Sequence, residues 1–227
     1  MLFFMKKFLK RLADNKNPKS LATDFRRKRF APVLKKMEEL HQSLNRPLKI
    51  LDVGGTERFW ENMEATSLPH QITLLNIKDI PVKHPNFTSM VGSACKMDYF
   101  SNNEFDLVFS NSVIEHVGNF DEQMQMAGEV RRVSPFFFVQ TPNYCFPIEP
   151  HFVFPIIHWL PRSTRIFIVE KLSLGWKQGK VTREAATENV DNIKLLKYSQ
   201  VKKLFPDAQI KREKLFGLTK SFMAVKF

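Results

Sequence analysis

The sequence has few cysteines and lacks any long uncharged apolar run. Cys95 and Cys145 fit neither a disulfide framework nor the paired CxxC spacing of a zinc site, so neither disulfides nor a metal are expected. No stretch of 18 or more uncharged apolar residues occurs, which predicts no membrane-spanning helix. Residues 1–12 have lysines within their apolar run and no small-residue cleavage site after it, unlike a secretory signal. The cysteine usage favours a reducing, cytoplasmic setting.

Positive charge is concentrated at the N-terminus of this 227-residue chain. Residues 1–49 hold 14 of the 35 Lys and Arg residues but only 4 of the 23 Asp and Glu residues. The nearly neutral remainder makes nucleic acid an unlikely partner for the whole domain. Residues 1–12 have the pattern of a basic amphipathic helix, which is typical of a helix on an anionic membrane surface but equally of a helix packed on its own domain or on a partner. We therefore expect a basic helical arm over residues 1–46, and peripheral contact with the inner membrane face through residues 1–30 stays open.

A second helical pattern within this arm runs from about Ser20 to Leu44. It carries the basic run Arg26 to Arg29, whose simplest interpretation is a solvated helix face. A specific phosphate-binding patch is the alternative.

After Pro47 the sequence alternates between apolar runs rich in β-branched or aromatic residues and helical patterns. This alternation predicts an α/β fold with a doubly wound parallel sheet and helices on both faces. In such sheets the ligand lies beyond the carboxyl ends of the strands. The predicted strands are 48–53, 71–76, 87–91, 105–110 and 136–140, the predicted helices are 57–65, 120–133 and 199–205, and 209–216 with 218–227 form a predicted hairpin.

Residues 144–180 interrupt the alternation, because they are rich in proline and aromatic residues. We predict an inserted cap at about these positions. The predicted organisation is thus the arm at 1–46 and one domain at 47–227 that contains the cap.

The turn after the first predicted strand, KILDVGGTERFW (49–60), excludes two common phosphate sites. No Lys-Ser/Thr pair follows Gly54 and Gly55 at P-loop spacing, and the dinucleotide pattern Gly-x-Gly-x-x-Gly fails from its third position. Asp52 and the two glycines do match the acidic-x-Gly-x-Gly-x-Gly turn of class I S-adenosylmethionine-dependent methyltransferases. Thr56 and Arg58 replace its two later glycines.

Four further motifs carry the same resemblance. FDLVFSNSVIEHV (105–117) resembles the fourth-strand motif of small-molecule methyltransferases related to those of ubiquinone and menaquinone biosynthesis. MVGSACKMDYFSNNEFD before it, EVRRVSPFFFVQTPN after it and the C-terminal FGLTKSFMAVKF resemble neighbouring motifs of that family. The resemblance covers about residues 47–142 and 199–227. It implies a Rossmann-like, mostly parallel seven-stranded sheet with an antiparallel C-terminal strand.

The resemblance also implies S-adenosylmethionine as the cofactor. Asp52 would order the turn and meet the cofactor's amino group, and Gly54 and Gly55 would allow close backbone approach. Asn76 stands where the family has an acidic residue for the ribose, and Ser93 replaces the usual aspartate at the adenine amine. The full set of cofactor-binding residues implied in this way is Asp52, Gly54, Gly55, Thr56, Asn76, Ser93, Ala94, Ser110 and Asn111.

Histidines are the best candidates for a general base, which methyl transfer to a hydroxyl or amine needs. His151, with Glu149 two residues earlier, and His116 are the candidate catalytic residues. Packed or solvent-facing histidines are the alternative, and the pair Glu115-His116 is interpreted first as a structural hydrogen-bonding pair.

The class of the methyl acceptor can be inferred only by exclusion. The Asn/Asp-Pro-Pro-aromatic motif of nucleobase amino methyltransferases and a Pro-Cys or Thr-Cys pair are both missing, which disfavours nucleic acid. The apolar segment 152–160 of the cap favours a hydrophobic or lipid-linked acceptor, unless it forms the core of the cap. A second hypothesis is a catalytically inactive methyltransferase fold that serves as a binding or membrane-associated module. The departures that support it are at Thr56, Arg58, Asn76 and Ser93.

Overall fold

The computed structural model describes residues 20–174 and 180–227, and the N-terminal amphipathic pattern lies outside these ranges. Helix α1 (Leu21–Leu44) begins after Ser20, whose Oγ accepts a hydrogen bond from the Thr23 backbone N–H at 3.1 Å. This confirms the helix predicted over this part of the arm.

The central element is one seven-stranded sheet. Its strand order is β3-β2-β1-β4-β5-β9-β8; the first five strands of the chain pair in parallel, and β9 lies antiparallel between β5 and β8. The strands are β1 (Lys49–Val53), β2 (Gln71–Asn76), β3 (Phe87–Val91), β4 (Leu107–Asn111), β5 (Phe137–Pro142), β8 (Gln209–Leu215) and β9 (Leu218–Lys226). The predicted fold class is confirmed. The order reverses between β1 and β4, and ligands of such sheets bind at this switch point.

Three helices accompany the strands. They are α2 (Glu57–Asn62), α3 (Phe120–Val133) and α6 (Tyr198–Leu204). Helix α3 has the predicted bounds and begins with a capping box between Asn119 and Glu122. Helix α2 is three residues shorter than predicted, because Glu64 has a left-handed backbone with φ 56°.

Apolar side chains cover both faces of the sheet. On one face, Phe30, Val33 and Met37 of α1 are buried against strand residues such as Ile50 and Leu74. On the other face, α3 and α6 close a second cluster over the same strands. The central strands are therefore buried on both sides, as their continuous apolar runs predict.

The predicted cap contains a small hydrophobic core of its own. Its elements are the two-stranded hairpin β6 (Ile148–Glu149) with β7 (Phe154–Pro155) and the helix α4 (Arg162–Lys171). Helix α5 (Arg183–Asp191) lies beyond the predicted bound at residue 180 and packs into the same core. Phe152 and Ile157 are buried in that core, whereas Ile156 and Trp159 are 48% and 46% exposed. Much of the apolar segment 152–160 thus stabilises the cap itself.

Within the described residues, no helix has the length and apolar character that crossing a membrane requires.

Candidate functional site

A cavity of about 220 Å³ lies at the switch point, beyond the carboxyl ends of β1 and β4. Three parts of the chain form it: the turn from β1 into α2, the end of β4, and one face of α1. Its lining residues are Arg26, Asp52, Gly54, Gly55, Thr56, Arg58, Phe59, Asn62, Phe109 and Asn111.

Asp52 is the buried acidic group of this cavity. Its Oδ2 accepts a hydrogen bond from Trp60 Nε1 at 2.8 Å, while Oδ1 has no hydrogen-bond partner among the described residues. Burial raises the pKa of Asp52 to about 7, and the Trp60 hydrogen bond opposes that rise. A buried carboxylate with one unused oxygen is suited to accept hydrogen bonds from a cationic ligand group.

The turn after Asp52 has room for glycine only. Gly54 has φ +73°, and an added Cβ would lie 2.5 Å from Cγ2 of Val113. At Gly55 an added Cβ would lie 1.7 Å from Oδ2 of Asp52. The two glycines therefore bring the backbone against the carboxylate, and larger residues would displace one or the other.

Two arginines of the cavity have no ion-pair partner in the described part of the chain. Arg26, on α1, is half-buried, and burial followed by repulsion from Arg29 lowers its pKa to about 10. Arg58 is exposed and also lines the cavity, so we place its side chain at the rim, where it does not fill the cavity. Together they make this cavity suitable for an anionic ligand group.

The other predicted cofactor residues lie at neighbouring strand ends. Asn76 donates a hydrogen bond from Nδ2 to the Gly55 carbonyl at 2.9 Å, which ties β2 to the turn. Ser93 is exposed, and its Oγ accepts a bond from the Cys95 N–H at 3.2 Å. Ala94 packs on the core beneath this loop.

Ser110 and Asn111, at the end of β4, have side chains in different surroundings. The Ser110 hydroxyl is fully buried and donates to the Val53 carbonyl at 3.1 Å, within the sheet. Asn111 lines the cavity. Because successive strand residues point to opposite faces, only one of this pair can face a given site.

A second polar cluster contains all three predicted catalytic residues. His151 Nδ1 donates to Glu149 Oε1 at 2.6 Å, and the rings of His151 and His116 meet edge to face with centroids 4.7 Å apart. Glu149 is buried and also accepts a bond from the Phe152 N–H at 2.7 Å. The fold thus joins the end of β4 to the cap at this point.

Glu115 is a member of this cluster that sequence reasoning took for a structural residue. It is fully buried, and its Oε2 accepts a hydrogen bond from Thr141 Oγ1 at 3.0 Å. Its Oε1 has no hydrogen-bond partner among the described residues and lies 3.9 Å from His151 Nε2. The available signal was position, since Glu115 follows β4 and Thr141 is the next-to-last residue of the neighbouring strand β5.

The net effect of burial and neighbouring charges is a raised pKa for both Glu115 and His151. Burial raises the pKa of Glu115 to about 7, against the charge of His151. For His151, burial acts to lower the pKa, but the hydrogen bond and charge of Glu149 and the charge of Glu115 outweigh it and raise the pKa.

The interpretation of the basic run on α1 as a solvated face is wrong for two of its members. Arg26 lines the cavity, as described above. The Arg29 side chain is 11% exposed and its Nε lies 3.2 Å from Glu213 Oε1, with Lys220 Nζ 3.5 Å from the other oxygen of the same carboxylate. Burial lowers the pKa of Arg29, and Glu213 opposes this. This ion-pair group anchors α1 to β8 and β9.

Comparison with known proteins finds its sequence similarity in the central segment of the chain. Residues 51–134 match the profile of the methyltransferase domain family. An uncharacterized protein of Mycobacterium tuberculosis, found in strains CDC 1551 and H37Rv, is 40% identical over 62 residues, which is 27% of this chain but only 21% of that protein. Among solved structures, the PH0226 protein of Pyrococcus horikoshii covers 91% of this chain and 92% of its own, with a TM-score of 0.51 and 18% identity. That similarity shows a shared fold.

Proposed function

We propose that this chain, whose residues 51–134 match the methyltransferase domain family, transfers a methyl group from S-adenosylmethionine to a small or lipid-linked acceptor. The observation that carries the proposal is the buried carboxylate of Asp52, a residue that lines the cavity at the switch point and whose Oδ1 has no partner in the described residues.

The groups of the cavity fit the methionine end of S-adenosylmethionine. Asp52 would accept hydrogen bonds from its ammonium group, and Arg26 would meet its carboxylate. Gly54 and Gly55 would let the backbone approach the same end. Asn76 and Ser93 stay our candidates for the ribose and the adenine, because Asn76 ends β2 and Ser93 follows β3.

When bound, S-adenosylmethionine supplies a methyl carbon activated by its sulfonium charge. The protein's task is then to hold an acceptor atom in line with that carbon and to remove the acceptor's proton if it has one. We propose His151 Nε2 as the proton acceptor, with Glu149 holding the ring through Nδ1 and His116 packing against its face.

The acceptor belongs to the side of the site formed by the cap. The half-exposed Ile156 and Trp159 of the cap support an acceptor with an apolar part. If that part is a lipid, the full chain sediments with anionic vesicles, and deletion of residues 1–15 abolishes sedimentation. Equal sedimentation of both proteins, or of neither, would remove the support for a lipid-linked acceptor.

Calorimetric titration with S-adenosylmethionine tests the proposed function most directly. We expect saturable, one-to-one binding that Asp52→Ala abolishes. Asp207→Asn is the matched control, because Asp207 pairs with Lys226 beside the amino end of β5, away from the cavity. An absence of binding by the folded wild-type chain would favour the non-catalytic binding module instead.

A further inference from the structure

Three side chains of the second polar cluster converge as a metal-ligand set. Glu115, His116 and His151 each offer one donor atom, and the three atoms lie within 4.8 Å of one another. Two imidazoles and one carboxylate suit divalent transition metals such as Zn²⁺, and three protein ligands leave a coordination position for another molecule.

Each of these three side chains is also held by a second contact. Thr141 Oγ1 donates to Glu115 Oε2 at 3.0 Å, Glu149 accepts from His151 Nδ1 at 2.6 Å, and the Asn192 carbonyl lies 3.2 Å from His116 Nδ1. Contacts of this kind orient the ligands of protein-bound metals and fix the tautomer of the ligating histidine. For His151 they leave Nε2 directed toward Glu115.

The second carboxylate oxygen of Glu115 is available to bind a cation. Its carboxylate is fully buried, and Oε1 faces His151 Nε2 across 3.9 Å without a hydrogen-bond partner in the described residues. That spacing is too long for a hydrogen bond but leaves room for an ion between the two atoms. A buried carboxylate oxygen without a partner is costly unless something binds it.

A second group of possible metal ligands in the same protein differs, because the oxygens of its buried glutamate already accept hydrogen bonds. Glu57, Glu61 and His84 also have donor atoms within 4.8 Å of one another. However, both Glu57 oxygens accept backbone bonds from Lys83 at 3.0 Å, and one also accepts from the N–H and the ring of His84 at 2.7 Å. These bonds already satisfy Glu57, so this set serves as an internal control.

We infer that Glu115, His116 and His151 bind one divalent transition-metal ion, with a coordination position left open for another molecule. The site goes beyond the proposed function, because it requires neither S-adenosylmethionine nor a methyl acceptor. His151 Nε2 can either bind the metal ion or accept a proton, but it cannot do both at once. In the metal-bound protein, an acceptor oxygen would bind the ion instead.

Metal titration of the full-length, tag-free protein after chelator dialysis tests this inference. We expect one-to-one binding of Zn²⁺ by calorimetry, and of Co²⁺ with the intense visible absorption of a low-coordinate nitrogen and oxygen site. Glu115→Gln and His116→Gln should each weaken binding by about 100-fold or more, and Thr141→Val by about 10-fold, in line with losses of supporting contacts elsewhere. His84→Gln should leave binding unchanged.

Two results would overturn the inference. One is no stoichiometric binding of either metal by wild-type protein with a native circular dichroism spectrum. The other is binding that the three variants leave intact. His116 is exposed, so His116→Gln keeps the test decisive even if Glu115→Gln fails to fold. Titration with S-adenosylmethionine on the same samples distinguishes failure of the metal site from failure of the proposed function.

Discussion

Replacement of Asp52 by asparagine should make the protein more stable at pH 8 while it weakens cofactor binding. The change keeps the size of the side chain and an oxygen that can accept the Trp60 hydrogen bond, but it removes the buried negative charge. Residues that serve a ligand often destabilise the unliganded fold in this way. A gain in stability together with a loss of cofactor binding would therefore identify Asp52 as a functional residue.

The size of the effect follows from the pKa of Asp52. The pKa is about 7 in the fold against an ordinary value of 3.8. At pH 8 the folded group must be ionised, and with about 1.4 kcal/mol for each pKa unit this costs the fold about 4 kcal/mol. Weaker hydrogen bonding by the neutral amide and its buried N–H donors offsets part of this gain, which leaves about 1–3 kcal/mol in favour of Asp52→Asn.

The raised pKa of Asp52 also predicts the direction in which the stability of the fold changes with pH. The folded-state pKa is raised, so between pH 4 and pH 7 the folded chain binds the proton that the unfolded chain has released. The stability contributed by this proton is lost as the pH rises through the folded-state pKa. From pH 5 to pH 8, wild type should lose about 2.5 kcal/mol more than Asp52→Asn.

Urea unfolding followed by far-UV circular dichroism at pH 5 and pH 8 measures this difference. Other titrating groups, including Glu115, contribute equally to both proteins and cancel in the comparison. Parallel stability changes, within about 0.5 kcal/mol, would refute the assignment of a buried, pKa-shifted carboxylate at this position.

Three further predictions concern the same part of the molecule. Gly55→Ala should destabilise the fold by about 1–3 kcal/mol and abolish S-adenosylmethionine binding, because its Cβ would overlap the Asp52 carboxylate; thermal unfolding and calorimetry measure both effects. Arg26→Gln should weaken S-adenosylmethionine binding about 10-fold yet leave the affinity for its decarboxylated analogue unchanged, and equal losses for both ligands would contradict a carboxylate contact. Glu213→Gln should cost about 3–5 kcal/mol in urea unfolding, because it leaves the Arg29 guanidinium buried without its partner; a cost below about 1 kcal/mol would show that this group is solvated.

The sheet and the turn at Gly54 and Gly55 could be predicted from the sequence because their signals are local. A strand buried on both faces is a continuous apolar run, so β1, β2 and β3 were predicted to within a residue of their observed bounds. The turn at Gly54 and Gly55 needs residues without a Cβ, and no other residue type fits there. Adjacent residues in the chain carry all of this information.

Only the tertiary structure could assemble the acid–base cluster. Glu115 and His116 follow β4, whereas Glu149 and His151 lie in the cap more than thirty positions later, and no periodicity links the two segments. The contact arises because β4 and β5 are neighbours and the cap begins after β5. Sequence spacing therefore predicted no metal-ligand set here.

Tertiary packing also decided which polar side chains are buried. Arg26 and Arg29 belong to a run of four basic residues, but α1 lies on the sheet with those two turned inward. Likewise, Ser110 and Asn111 are adjacent in sequence, and the pleat of β4 directs only Asn111 to the cavity. Composition and spacing identify the residues that chemistry can use, whereas the packing of distant segments determines which of them share a site.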